Sequence, residues 1–159
     1  KERNSVINFR INKNINPKTL DMINEYYTCG KQAKLINDAL KLYCTLAEGG
    51  DVLGLFASLT ETIDKSDTAL PKKKPGDNVT FRLSQDLSDN VIDAVNNFYK
   101  KNLLTYILNV SLELYRVLKE INQSGIRPEH QPQETPAKKR QISENTIRSL
   151  RFLRNIQKK

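Results

Sequence analysis

Apolar and polar positions alternate with period two over residues 7–12. Ile7, Phe9 and Ile11 fall on one face and Asn8, Arg10 and Asn12 on the other, the pattern of a half-buried strand. Asn16 before Pro17 marks a helix start, with Asn as N-cap and Pro in the first turn. From there Leu20, Ile23, Tyr26 and Tyr27 form one stripe, and Gly30 supplies the residue that ends the helix. A second helix is predicted over residues 31–47, with Leu35, Ile36, Ala39, Leu40, Tyr43 and Leu46 inward and Gly49-Gly50 closing it.

The same plan returns at an offset of 72 residues without a gap. Phe9 falls on Phe81, Arg10 on Arg82, Asp21 on Asp93, Asn24 on Asn96, Tyr27 on Tyr99, Asn37 on Asn109, Leu40 on Leu112 and Tyr43 on Tyr115. Between these identities the apolar class is kept, as in Ile7/Val79, Ile23/Val95 and Ile36/Leu108. A fixed offset carrying both identities and pattern marks a duplicated unit. In the second copy Val79, Phe81 and Leu83 point inward and Thr80, Arg82 and Ser84 outward; Ser88 is the expected cap of the first helix and Asn102 of the second.

One strand followed by two helices is too short to bury a good core alone and leaves both strand edges unpaired. Antiparallel pairing of the two strands over a common helical core solves both problems. The fold class expected is therefore mainly α with a two-stranded antiparallel β-ribbon. Residues 6–47 and 78–122 form the two repeats. Residues 48–77 form a linker with a short helix over 52–63 and a solvated lysine run near Pro71, residues 123–141 a disordered linker, and residues 142–159 a basic amphipathic helix.

Charge sharpens the picture. The chain carries a net +8 and a pI near 9.5, which favours acidic partners such as nucleic acid. From Gln123 onward nine basic residues face three acidic ones, so most of the excess lies in the tail. No apolar run is long enough to span a bilayer. Cys29 and Cys44 have no paired-ligand spacing and read as reduced thiols of a cytoplasmic protein. His130 stands alone among Pro and Gln. With no nucleophile–base pairing, carboxylate dyad, glycine-rich phosphate loop or metal cluster in the sequence, the reading is a non-enzyme that needs no metal or cofactor.

A two-stranded ribbon fits the major groove of B-DNA. Base readout is assigned to Asn8, Arg10, Asn12, Thr80, Arg82 and Ser84, since Arg suits guanine, Asn bridges adenine N6 and N7, and hydroxyls discriminate less. The start of each second helix offers backbone N–H groups to a phosphate. Gly30, Lys31 and Lys34 in the first copy, Asn102 in the second, and Lys13 are the expected phosphate contacts.

Strand alternation with a central Arg, a capped helix, a Gly turn and a second amphipathic helix resemble the ribbon-helix-helix fold of the Arc and MetJ repressor families. The resemblance covers residues 6–47 and 78–121 and implies that the outward strand residues read bases while the turn and second-helix start clamp phosphates. The tail has two readings: a nonspecific phosphate-binding arm, or a helix that docks on a protein partner through Ile147, Leu150, Leu153, Arg151 and Arg154. The overall plan is similar to ParR-type plasmid partition adaptors, which bind repeated centromere DNA, repress their own operon and present C-terminal segments to an actin-like filament. Fused tandem copies resemble TraY-type relaxosome accessory proteins. The expectation is a sequence-specific double-stranded DNA binder of a mobile element, acting in partition, transfer or operon repression and self-associating on repeated sites. The alternative is a protein-interaction adaptor working through its tail.

Overall fold

A computed structural model of the chain describes residues 1–59, 63 and 70–124. It is mostly helical, with one two-stranded antiparallel ribbon. The elements run β1 (Val6–Arg10), α1 (Pro17–Thr28), α2 (Gln32–Ala47), α3 (Val52–Leu59), β2 (Asn78–Arg82), α4 (Asp89–Lys100) and α5 (Leu104–Gln123). The basic C-terminal segment and nearly all of the expected disordered linker lie outside the described residues. The described part of that linker is ordered differently from expectation, because α5 continues through Gln123 and is capped at Ser124. Helix α3 is described over Val52–Leu59, and residues 60–62 of the predicted span lie outside the described residues.

The ribbon pairs Val6 with Arg82, Asn8 with Thr80 and Arg10 with Asn78. Asn8 and Thr80 are also partners under the 72-residue offset, so the relation that exchanges the two copies passes between them. Contacts elsewhere recur in exchanged form. Tyr26 meets Tyr115 edge-on at 6.0 Å, and the equivalent Tyr43 and Phe98 also meet edge-on at 6.0 Å. At the centre Phe9 and Phe81 lie edge to face at 6.1 Å beneath the ribbon. Helices α2 and α5 cross under them and share the most extensive helix–helix contact. The single-copy helix α3 closes the open side, setting Phe56 against Tyr115 at 5.2 Å.

Local chemistry explains the element ends. The Asn16 side chain accepts from Lys18 N at 2.9 Å and so caps α1 as its sequence predicts. Ser88 holds the matching N-cap position of α4 but makes no side-chain capping bond. The expectation that Asn102 caps α5 is also corrected. Asn102 takes φ +57°, the left-handed conformation that Gly30 takes at φ +70° in the first copy. Both therefore terminate a first helix, and Lys31 and Leu103 occupy the N-cap positions of α2 and α5 without side-chain caps.

The segment before β1 and the lysine run before β2, the latter read from sequence as solvated linker, form matched turns. Asn4 (φ +66°) and Gly76 (φ +87°) occupy equivalent places. Ser5 Oγ accepts from Glu2 N, and Asp77 Oδ2 from Lys74 N, both at 2.8 Å. Each turn crosses to the other copy: Asn24 exchanges two amide bonds with the Lys73 backbone, at 3.0 and 2.6 Å. The repeat thus begins several residues before either strand.

Truncating a buried aromatic removes both its transfer free energy and the packing around it. Phe9 is buried and its ring packs on Phe81. Phe9→Ala should lower unfolding stability by about 3–5 kcal/mol; a melting temperature equal to that of the parent would contradict this core assignment.

Candidate nucleic-acid interface

The strand burial pattern alternates exposed and buried in both β1 and β2. The face turned away from the helices carries Val6, Asn8 and Arg10 from β1 and Asn78, Thr80 and Arg82 from β2. Four of the six expected readers, Asn8, Arg10, Thr80 and Arg82, therefore share one exposed surface. Thr80 Oγ1 donates to Asn8 Oδ1 across the ribbon, which aligns the central pair before anything is bound. Arg82 Nη1 donates to Asn4 O at 3.2 Å.

Asn12 and Ser84 are not on the ribbon, and this corrects the sequence assignment. Both lie past the strand ends, where buried asparagines of the second helices intercept the backbone. Asn109 accepts from Asn12 N at 2.9 Å and donates to Arg10 O at 3.0 Å. Asn37 does the same for Ser84 N and Arg82 O, both at 2.9 Å. The side chains of Asn12 and Ser84 are then used locally, Asn12 accepting from Asn14 N and Ser84 donating to Asp86. Sequence reasoning missed Val6 and Asn78, which fill the vacated corners, although extending the period-two count backward from Asn8 and Thr80 would have found them. It also matched Asn37 with Asn109 without seeing that both bind the outer edge of a strand.

The starts of the second helices flank the ribbon. Gln32, the first residue of α2, donates to Thr80 O at 3.2 Å. The start of α5, with Asn102 and Thr105, lines a shallow groove together with Val6 and Asn8. Gly30 is exposed beside Lys31, and Lys13 is exposed at the end of the ribbon near Gly76. Lys34 differs from expectation: its ammonium is bound to the buried Asp38 at 2.6 Å, so its charge is already partly neutralised. Lys73, read only as part of a linker, reaches the ribbon end. Its Nζ lies 4.9 Å from the Tyr27 ring centroid and donates to Asn78 O at 3.3 Å.

One shifted titrating group, Asp86, lies beside the end of the ribbon, and another, Cys44, lies in the core. Asp86 is held down to about 2, first by its hydrogen bond from Lys41 and then by that from Ser84. Burial, with Glu48 nearby, pushes the Cys44 thiol up to about 11, so it stays a protonated core side chain near neutrality. Among the described residues no group of three or more His, Cys, Asp and Glu is placed to hold a metal ion, and no helix is long and apolar enough to cross a membrane. Comparison with family models, curated proteins and solved structures gave no significant match.

Because the folded-state value of Asp86 lies below its ordinary 3.8, its contribution to stability is present above that pH and is lost as pH falls towards 2. Asp86→Asn should therefore melt earlier than the parent at pH 6, by a small margin since the carboxylate is largely exposed. The two melting curves should approach one another as pH falls to about 2 and converge below it; a gap that persists there would show that the carboxylate's charge is not the cause.

Proposed function

We propose that this chain is a non-enzymatic, sequence-specific double-stranded DNA-binding protein of tandem ribbon-helix-helix type, whose β-ribbon enters the major groove. The observation that carries this reading is the paired, exposed set Asn8, Arg10, Thr80 and Arg82, flanked on both sides by helix N-termini that lack side-chain caps. The major groove, about 12 Å wide, admits such a ribbon. There Arg10 and Arg82 can each take guanine N7 and O6 with two donors, and the Asn8 amide can match adenine N6 and N7. The N–H groups in the first turns of α2 and α5 can receive phosphates on either side, aided by the helix dipole. Lys31 and Lys73 add cations on the first-copy side.

Asn8 and Thr80 are hydrogen-bonded to one another in the free protein, which favours a reading head set in advance rather than ordered on binding. The basic tail from Gln123 supplies either further phosphate contacts or a docking segment for a protein partner. A DNA-reading pair of fused units with such a tail suits a plasmid or mobile-element protein in partition, transfer or repression of its own operon.

Selection of bound duplexes from a random pool tests the reading directly. A defined consensus should emerge, and affinity for it should fall steeply with salt. Arg10→Ala and Arg82→Ala should each remove about 1–3 kcal/mol of discrimination between consensus and mismatched sites. Lys31→Ala should instead weaken all duplexes about equally and reduce the salt slope by about one. A protein acting only through its tail would leave duplex binding unchanged in all three variants and lose its activity when residues 142–159 are deleted.

A further inference from the structure

The exchange relation between the two copies is broken where the ribbon faces outward. At one end Arg10 sits opposite Asn78, and at the other Arg82 sits opposite Val6. Val6 is 44% exposed, so an apolar side chain is displayed at the corner where its equivalent displays an amide. The flanks differ in the same sense. Lys31 has Leu103 as its equivalent, and Lys74 has Glu2. Leu103 is 43% exposed, and the start of its helix lies beside Val6. One end of the head is therefore an arginine–amide pair with Lys73 and Lys74 in the turn beside it, and the other an arginine–aliphatic pair beside Leu103 and Glu2.

These pairs have different chemical complements. An amide next to a guanidinium offers donors and an acceptor to the guanine and adenine edges, whereas an aliphatic group next to a guanidinium suits guanine beside the thymine methyl. We propose, resting on the DNA-binding reading above, that the protein binds an asymmetric duplex in one orientation. Its Arg10–Asn78 end takes a guanine/adenine half and its Arg82–Val6 end takes a guanine/thymine half.

The test uses the full chain and three duplexes: the consensus recovered from the random pool, and two palindromes made by doubling either half. The consensus should be non-palindromic, and each palindrome should bind more weakly by about 5- to 150-fold for each lost base contact. Val6→Asn makes both ends arginine–amide pairs and should shift preference to the palindrome of the Arg10–Asn78 half. Asn78→Val should shift it to the other palindrome. Both positions are exposed on the ribbon, and the two substitutions have opposite expected signs, so a general loss of folding cannot imitate the pattern. A palindromic consensus that still depends on Arg10 and Arg82 would overturn the polarity and leave the DNA-binding reading standing. Palindromes bound as tightly as the consensus, or preferences unmoved by both substitutions, would do the same. Failure to enrich any duplex would overturn both.

Discussion

The structure depends on one pairing: two five-residue strands, each with no other strand beside it among the described residues, joined edge to edge at Asn8 and Thr80. An isolated two-stranded ribbon is marginal in water. Here the underside of the ribbon presents Ile7, Phe9, Val79 and Phe81, all buried, to the crossing of α2 and α5. Pairing satisfies the strand backbones, and burial holds the pair in register, since a slip of one residue would turn Phe9 and Phe81 outward. The exposed polar set is the necessary complement of that buried set. Whatever the outer face binds, its geometry is imposed from below.

The ends of the ribbon are governed by polar chemistry. Asn37 and Asn109 each bind a carbonyl of their own helix, at 2.7 and 2.8 Å, together with a strand carbonyl and the next strand N–H but one. Buried side-chain amides placed in this way cover the free outer edges of the ribbon, because Arg10 O, Asn12 N, Arg82 O and Ser84 N face away from the partner strand and would otherwise be unsatisfied. They also tie the start of each second helix to the strand of the other copy. The proposed phosphate-binding ends and the proposed base-reading strands are therefore held by the same two residues.

Much of this was legible in the sequence, and the failures share a cause. Apolar periodicity with a constant offset yields both strands, all four principal helices and the inward Phe9/Phe81 pair, since burial is what periodicity records. It says nothing of where a ladder stops, so the alternation at Asn12 and Ser84 was read as continuing strand, whereas the last inter-strand bonds are made by Ile11 and Leu83 with the turns at Gly76 and Asn4. The turns at Asn4 and Gly76 escaped for a related reason. Lys1 and Lys73 align, but few other residues there are identical, and the turns depend on positive φ and short side-chain bonds rather than on apolar spacing. Asn102 was read as a helix start because Asn serves at both helix ends; its alignment with Gly30 indicates the left-handed role it takes.

The departures from exact repetition also say which copy each surface requires. The buried Arg116 of α5 donates to Thr19 of α1 at 2.8 Å and pairs with Glu113 and Glu120 of its own helix at 3.2 and 3.0 Å. The equivalent of Arg116 is Cys44 and that of Thr19 is Val91, so the opposite interface is apolar at this point. Two second copies paired together would set Arg116 against Val91 and deprive the guanidinium of its hydroxyl. They would also put Glu113 where Lys41 now meets Asp86 at 2.7 Å, replacing an attraction with a repulsion. Two first copies paired together would set Glu25 beside Ala47 in place of Lys119, which it now meets at 3.3 Å. The Tyr26–Tyr115 hydroxyl bond, 2.9 Å long and buried, would become Phe98–Tyr115 in a pairing of second copies and leave a buried hydroxyl without a partner. Each difference is modest, and the exposed ion pairs contribute least. All of them act in one direction, however, favouring a first copy against a second, and an unlike pair is the only arrangement that gives the ribbon two different ends.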